Sequence, residues 1–357
     1  MKYRVQLVAA LAIALMFTGS LPSVAASDKT GSVWLPYWYM STARPAVVKN
    51  SDLFKTASPF WYNATGCTKI VGYNGAGDRA TIKALHDASM RVVPTVTATG
   101  ITPQIAIQCL GNVDARAVHV AEVLRVMRSR DYDGIEIDYE HLANISDATK
   151  IPKVKSAINA FVRDLCTKVK AANKSCVITV LARTSDSPGP KQGNLRPEVF
   201  DYSVVAGAAS RMRVMAYDQH TRLSGPGPIA GLPWVQRIVS YIKAETSESK
   251  VELGVPTYGR DWSSAGVRTL VKDQARALAR KYSVTPKYDA VQHEYTFTYK
   301  AAGITHTVWF SGLVPWLIAN SWPVWPGWLA RHIGQQAKKN LALGRLSVLG
   351  ERVRLWH

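Results

Sequence analysis

The chain has 357 residues, of which 47% are hydrophobic and 19% are charged, and its formal net charge is +19 at neutral pH. This composition is globular and excludes a disordered, collagen-like or low-complexity chain. The length allows a large hydrophobic core, and a single barrel of this size is ordinary. The positive charge is compatible with an anionic surface as partner or with a solvated basic surface, and no nucleic-acid motif accompanies it.

The first 26 residues have the pattern of a secretory signal peptide. Lys2 and Arg4 precede an apolar run over 5–17, and small residues at 24–26 supply a cleavage site. The apolar run is shorter than the roughly 20 residues that span a bilayer, which favours cleavage over an uncleaved anchor. We therefore expect a mature chain, 27–357, that has no membrane span and is secreted, extracellular or associated with the cell wall.

Seven β-rich segments alternate with helix-like segments along the chain. The predicted strands lie at 33–38, 58–65, 91–99, 134–140, 176–183, 212–218 and 251–259, and an eighth is expected at 345–351. The intervening segments have apolar residues at intervals of three and four and contain good helix formers. Alternating strands and helices indicate an α/β protein with a parallel sheet, and eight units would close it into a (β/α)8 TIM barrel. An open doubly wound sheet is the structural alternative.

Two observations favour the barrel. No glycine-rich phosphate-binding turn follows the first strand. Polar side chains also stand at the C-terminal ends of several predicted strands, where barrel active sites gather. These residues are Asn63, Thr97, Glu140, Arg183, Asp218 and Tyr258.

The pattern changes between strands seven and eight, at about 263–310. EYTFTYK, a turn at AAG, and THTVWF predict a β-hairpin. We expect a small α+β insertion that forms one wall of a cleft.

The four cysteines suggest two disulfides in an exported chain, with three possible connectivities. Cys166 and Cys176 bracket a short helix-to-strand connection, which favours their pairing and leaves Cys67 with Cys109. The spacings resemble no zinc site, so no metal is expected.

Residues 133–140 read DGIEIDYE, in which three carboxylates alternate with other side chains. Strict alternation predicts a strand with Glu136, Asp138 and Glu140 on one face, about 6–7 Å apart. In a barrel these acids would point into the lumen. Salt bridges to lumenal Arg or Lys are the structural interpretation. The functional one is acid catalysis, because adjacent carboxylates cannot all ionise cheaply and Glu140, at the strand's exit, would stay protonated.

This octapeptide closely resembles the DGxDxDxE signature of glycoside hydrolase family 18, the chitinase-like fold. MAYD at 215–218 is similar to that family's MxYD motif on strand six. The flanks DQHTRLSGPGPIAGLPWV and LGVPTYGRDW look like the subgroup that includes spore-cortex peptidoglycan N-acetylglucosaminidases. The resemblance covers about 33–310.

The resemblance implies catalytic roles for four residues. Glu140 would protonate the glycosidic oxygen and later activate water, while the substrate's own 2-acetamido oxygen attacks the anomeric carbon, with retention of configuration. Asp138 would orient the acetamido N–H, and Tyr217 would hold the acetamido oxygen. Glu136 would be the deep acid that biases the other two.

Further residues are candidates for substrate binding. By resemblance, Met215 would pack in the pocket floor and Asp218 would contact sugar hydroxyls or the acetamido group. Asn63 and Tyr258 stand at strand ends, and Trp262 follows strand seven in a polar loop, where it could stack on a sugar. Core packing is the alternative for each tryptophan considered: Trp34, Trp38, Trp61, Trp234 and Trp262.

The chain departs from the family pattern at two places. Glu136 stands where the family most often has Asp, and its extra methylene could crowd Asp138. After Phe310 the likeness is faint, and 316–328 contains four of the eleven tryptophans. The family places a tryptophan at the end of strand eight, where this chain offers Leu349. An unusual eighth unit, an altered site floor, a shifted reading frame and an exposed glycan-binding patch remain open.

The sequence thus predicts an exported, monomeric hydrolase of β-1,4-linked N-acetylglucosamine polysaccharides, with peptidoglycan favoured over chitin and no cofactor. An anionic cell wall is a second candidate partner. The alternatives are a glycan-binding protein without catalysis and an endoglycosidase acting on N-glycans.

Overall fold

The structure is a computed structural model that describes residues 31–186 and 195–311. Within these ranges, nine strands form a first sheet. They are β1 (Gly31–Pro36), β2 (Phe54–Gly66), β3 (Lys69–Gly72), β4 (Arg91–Val92), β5 (Thr95–Thr97), β6 (Gly134–Asp138), β7 (Ser175–Leu181), β8 (Arg211–Met215) and β9 (Val251–Gly254). A second sheet contains β10 (Tyr258–Ser263), β11 (Gly266–Val271), β12 (Lys287–Asp289), β13 (Glu294–Ala301) and β14 (Ile304–Ser311).

Eight α-helices lie in the same described ranges. They are α1 (Met40–Lys49), α2 (Arg79–Asp87), α3 (Pro103–Cys109), α4 (Val113–Arg128), α5 (Ile151–Ala171), α6 (Tyr202–Ala208), α7 (Leu232–Glu245) and α8 (Lys272–Lys281). Side-chain caps begin several of them: Asp78, Thr102 and Asn112 each accept a hydrogen bond from a backbone N–H of the first turn of α2, α3 and α4. On α5, buried residues recur at helical spacing, with Val154, Ile158 and Leu165 facing the sheet.

The main path of the first sheet runs in chain order, β1-β2-β5-β6-β7-β8-β9, and each neighbouring pair is parallel. Helices connect successive strands and bury the outer face of the sheet in one large hydrophobic core. This is the (β/α)8 barrel type of fold that the sequence predicts. The predicted eighth strand, the signal peptide and the tryptophan-rich segment lie outside the described residues.

Proline interrupts two of the predicted strands. The segment 91–99 divides into β4 and β5 with Pro94 between them, and 251–259 ends as a barrel strand at Gly254, before Pro256. A proline has no N–H to donate to a ladder, so the pairing stops or shifts there. One strand of the first sheet was not predicted: β3 pairs antiparallel with the end of β2.

The second sheet has the order β11-β10-β14-β13-β12, with antiparallel neighbours. It contains the predicted hairpin as β13 and β14, and α8 packs on it over a separate small core. The sheet begins at Tyr258, a residue that the sequence had placed at the end of barrel strand seven.

Two disulfides connect elements of the barrel. Cys67, in the turn after β2, is bonded to Cys109 at the end of α3, and Cys166 on α5 is bonded to Cys176 on β7. This is the pairing expected from the sequence. Within the described ranges, we find no helix that combines the length and the apolar character needed to cross a bilayer.

Candidate active site

The acidic segment is only partly a strand. β6 ends at Asp138, and Glu140 begins a short 3-10 helix, Glu140–Ala143. The prediction of three acids on one strand is therefore correct for Glu136 and Asp138. It is wrong for Glu140, which lies after the strand, in the 3-10 helix. Ile135 and Ile137 pack in the core against the helices, as the alternation predicts.

Glu136 is a paired structural carboxylate. Its side chain is fully buried, and its Oε2 lies 2.7 Å from Nη1 of Arg213 on β8. The indole of Trp34 and the hydroxyls of Thr95 and Thr179 also donate hydrogen bonds to it. The salt-bridge interpretation therefore holds for Glu136, because a charge this deep needs a counter-charge.

Asp138 has the opposite environment. It is 5% exposed, and its Oδ1 is buried without a hydrogen-bond partner among the described residues. Burial raises the pKa of its carboxyl well above the usual value, and the negative charges of Glu140 and Glu136 raise it further. Asp138 therefore holds a proton far more readily than an ordinary aspartate does.

Glu140 lies further out, at the mouth of the barrel. Burial raises the pKa of its carboxyl to about 6, and the charge of Asp218 is the next cause. The sequence predicts that Glu136 and Asp138 raise this pKa, whereas in the structure burial is the main cause and the charge of Asp218 is the second. A carboxyl with this pKa can act as a general acid near neutral pH.

Tyr217 joins the acids from the residues that follow β8. Burial raises the pKa of its phenol well above 10, with further contributions from Asp138 and Glu140. Its ring meets those of Trp34 and Tyr258 edge-on, at centroid distances of 6.4 and 6.3 Å. The phenol is therefore neutral and can donate a hydrogen bond within the acidic pocket.

Asp218 connects the barrel to the second sheet. Its backbone has a positive φ of 62°, which is uncommon for a residue other than glycine and marks the sharp turn after Tyr217. Its Oδ1 accepts hydrogen bonds from the hydroxyl of Tyr258 and from Nη2 of Arg260, both on β10. Sequence reasoning missed Arg260, which is 4% exposed, although its place two residues after Tyr258 on a strand was a usable signal.

Several predicted binding residues have other roles in this structure. Trp262 is 5% exposed within β10, and its Nε1 donates to the Thr221 carbonyl at 3.0 Å, so the prediction of a polar loop that presents a stacking surface is wrong. Asn63 directs its amide group to Thr97 at the end of β5 and to Thr99 just after that strand. Met215 is 7% exposed at the end of β8.

The other candidate stacking residues differ in exposure. Trp61 is 1% exposed and belongs to the core, while Trp34 is half-buried beside Glu136 and Trp234 packs partly on the core. Trp38 is 42% exposed and meets Tyr37 edge-on. Trp38 is therefore the tryptophan of this set whose exposure suits a sugar ring.

A buried histidine supports the acidic segment from behind. His119 on α4 has its Nδ1 2.7 Å from the Cys67 carbonyl and its Nε2 2.9 Å from the Tyr139 hydroxyl. Burial lowers the pKa of the imidazole, so it is neutral. Since a carbonyl can only accept, Nδ1 carries the proton and Tyr139 donates to Nε2. The sulfurs of Cys67 and Cys109 lie near His119, but their disulfide offers no thiolate to a metal.

Comparison with known proteins assigns the family. The model for glycosyl hydrolases family 18 matches residues 104–311. The putative sporulation-specific glycosylase YdhD of Bacillus subtilis is 28% identical over 282 residues, which are 74% of this chain and 64% of that protein. The cortical fragment-lytic enzyme of Bacillus anthracis is 25% identical over 198 residues, 54% of this chain and 43% of that protein.

The chain thus spans less than two thirds of the length of these curated relatives. Among solved structures, the C-terminal domain of a putative chitinase from Desulfitobacterium hafniense superposes with a TM-score of 0.71 at 25% identity, over 82% of this chain and 90% of that domain. The family model covers more than half of the chain and includes both acidic motifs. This chain belongs to glycosyl hydrolase family 18.

Proposed function

We propose that this chain hydrolyses β-1,4-linked N-acetylglucosamine polysaccharides, with peptidoglycan preferred over chitin. The observation that carries the proposal is the arrangement of Glu140, Asp138 and Tyr217. A carboxyl with a pKa of about 6 stands at the barrel mouth, a buried carboxyl with an unsatisfied oxygen lies behind it, and a neutral phenol lies close to both. The preference for peptidoglycan rests on the cortical fragment-lytic relatives.

In this reaction Glu140 donates its proton to the glycosidic oxygen as the bond to the anomeric carbon breaks. The substrate's acetamido oxygen attacks that carbon from the opposite side, which gives an oxazolinium-type intermediate. The ionised Glu140 then takes a proton from water, and the water oxygen attacks the same carbon as its bond to the acetamido oxygen breaks. Two inversions give net retention of configuration.

Asp138 and Tyr217 serve the acetamido group. The buried Oδ1 of Asp138 accepts a hydrogen bond from the acetamido N–H, which satisfies an oxygen that otherwise has no partner among the described residues. The Tyr217 hydroxyl donates to the acetamido oxygen and holds it in line for attack. Both interactions strengthen as charge develops on the ring being formed.

The proposal is tested by measuring reducing ends released from purified peptidoglycan, chitin oligomers and an N-glycosylated protein. We expect turnover on peptidoglycan and loss of at least about a thousandfold in Glu140→Gln, with binding retained. Glu122→Gln, the same chemical change on the outer helix α4, is the matched control and keeps wild-type turnover. Binding without turnover by the wild-type protein would contradict hydrolysis. Release of reducing ends from the glycoprotein alone would contradict peptidoglycan as the substrate.

We also propose that the protein is exported and acts at the cell wall. The signal-peptide pattern at 1–26 and the net charge of +19 support this location. Binding to isolated walls should weaken as salt is raised from low to physiological ionic strength and above. Salt-independent binding would contradict electrostatic attraction to the wall, and a mature N-terminus at Met1 would contradict signal cleavage.

A further inference from the structure

A buried ion pair lies beneath the acids of the site. Arg213, on β8, is 3% exposed. Its Nη1 is 2.7 Å from Glu136 Oε2, and its Nε is 2.6 Å from Glu252 Oε2 on β9. Nη1 also donates to the Ser58 hydroxyl at 2.7 Å. The guanidinium is therefore held rigidly between two carboxylates, and it cannot lose its proton.

Among the described residues, four groups form hydrogen bonds with Glu136, and each of them acts as the donor. Oε1 accepts from the Trp34 indole at 2.8 Å and from the Thr179 hydroxyl at 2.6 Å. Oε2 accepts from the Thr95 hydroxyl at 2.8 Å and from Arg213. These four bonds occupy both oxygens and suit an ionised carboxylate.

Protonation of Glu136 would be costly in this setting. An acid O–H on Oε2 would face the guanidinium of Arg213, and one on Oε1 would face the indole N–H of Trp34. Both groups only donate, and a buried guanidinium that loses one of its counter-charges is strongly destabilised. The geometry of these contacts therefore fits Glu136 as a carboxylate.

Asp138 is the next acid along the strand, and nothing comparable neutralises it. Its Oδ1 has no hydrogen-bond partner in the described part of the chain. The negative charges that face it from its own segment are Glu136 and Glu140. The phenol of Tyr217, which follows β8, interacts electrostatically with Asp138 and Glu140. Asp218 lies beyond, neutralised in part by Arg260. The described residues offer no further cation to stabilise a second buried negative charge beside Glu136.

We propose that Arg213 is a positioning residue of the site: by holding Glu136 as a fixed carboxylate, it keeps the inner proton on Asp138. The longer side chain of Glu136, compared with an aspartate, serves to reach this guanidinium. The consequence for catalysis rests on the proposed function, because a neutral Asp138 leaves Glu140 to be tuned by burial and by Asp218 alone. The charge assignment itself needs no substrate.

The charge assignment is tested by infrared spectroscopy of the full-length protein at pH 8. This pH is above the pKa of about 6 for Glu140 and of about 7 for Glu294, so both are largely ionised. We expect Asp138→Asn to remove a protonated-carboxyl band from the wild-type spectrum. A protonated-carboxyl band that persists in Asp138→Asn would overturn the assignment.

The role of Arg213 is tested with Arg213→Met and Arg213→Lys. In Arg213→Met the proton moves to Glu136, Asp138 becomes ionised, and its charge raises the pKa of Glu140. The basic limb of kcat/KM should then move up by about one pH unit, with kcat reduced at least about tenfold. Arg213→Lys keeps the positive charge, so the basic limb of kcat/KM should stay within about 0.3 pH unit of its wild-type position.

A purely structural role for Arg213 would lower the melting temperature and the active fraction without moving the limb, and that outcome would overturn the proposal. If Arg213→Met does not fold, a basic limb that shifts by about one pH unit in Arg213→Lys, which keeps the charge, would overturn it as well. A wild-type protein without hydrolytic activity would contradict the proposed function but leave the infrared result to decide the charge assignment.

Discussion

Arg260, on the first strand of the second sheet, donates a hydrogen bond to Asp218, which follows the sixth strand of the barrel path. Tyr258 donates to the same oxygen from the same strand. Asp218 in turn is the charge that raises the pKa of Glu140. Tyr258 and Arg260 of the second sheet therefore influence the pKa of Glu140, the candidate proton donor, through Asp218.

Asp218→Asn should shift the pH dependence of hydrolysis. The neutral form of Glu140 is the proton donor, so activity falls as pH rises through its pKa of about 6. Removing the negative charge of Asp218 lowers that pKa, and the unpaired guanidinium of Arg260 lowers it further. We expect the basic limb of kcat/KM to move down by about 0.5–1 pH unit. Asp114→Asn, at an exposed position of α4, is the control, and a limb that moves upward would contradict this coupling.

Gly254→Ala should impair the site by displacing Tyr217. A Cβ at Gly254 would lie 3.1 Å from Tyr217 Cε1 and 3.2 Å from Trp34 Cη2, closer than side chains normally pack. We expect kcat to fall about tenfold, because small displacements of a positioning group are costly. Gly207→Ala in α6 meets nothing within 4 Å and should leave activity unchanged, with stability equal or slightly raised. Equal kinetics for the two variants would exclude the steric effect.

Tyr139→Phe should destabilise the fold through His119. The buried Tyr139 hydroxyl is 2.9 Å from His119 Nε2, and its loss leaves a buried nitrogen unsatisfied. We expect the free energy of unfolding in urea to fall by about 1–3 kcal/mol. Tyr288→Phe removes a tyrosine–histidine bond of the same length, 2.9 Å, at an exposed position. It should cost less than about 0.5 kcal/mol. A larger loss in Tyr288→Phe would refute the dependence on burial.

Glu294→Gln should reduce the pH dependence of stability. The Glu294 carboxyl is fully buried and accepts hydrogen bonds from the backbone N–H groups of Ile229 and Ala230. Burial nevertheless raises its pKa from 4.5 to about 7. Its contribution is fully present below about pH 4.5 and is lost as pH rises through about 7, a difference on the order of 3 kcal/mol.

The measurement for Glu294 is urea unfolding between pH 5 and 8. The decline in stability across this range should be clearly smaller in Glu294→Gln than in the wild-type protein. In Glu122→Gln the decline should be unchanged. The hydrogen bond from Arg125 lowers the pKa of the Glu122 carboxyl, so this group titrates at more acidic pH. An unchanged slope in Glu294→Gln would contradict a raised pKa in the folded state.

The sequence by itself determined the order and type of the barrel elements, because the alternation of apolar residues in strands and their helical spacing in helices are local properties. It also identified the hairpin of the insertion and the two disulfides, and it directed attention to Glu140, Asp138 and Tyr217 through short motifs. The interruptions at Pro94 and Pro256 are local properties as well, because a proline has no N–H to donate to a ladder.

Only the tertiary structure decided which acids have partners. Arg213 meets Glu136, 77 residues away, and Arg260 meets Asp218, 42 residues away, because folding brings strands that are far apart in the chain close together in space. Alternation predicts which face a side chain occupies, but it carries no information on the residue opposite. The charge state of a buried carboxyl depends on that opposite residue and on the water excluded around it. Three acids that look equivalent in DGIEIDYE therefore become a neutralised anion at Glu136, a proton carrier at Asp138 and a tuned acid at Glu140.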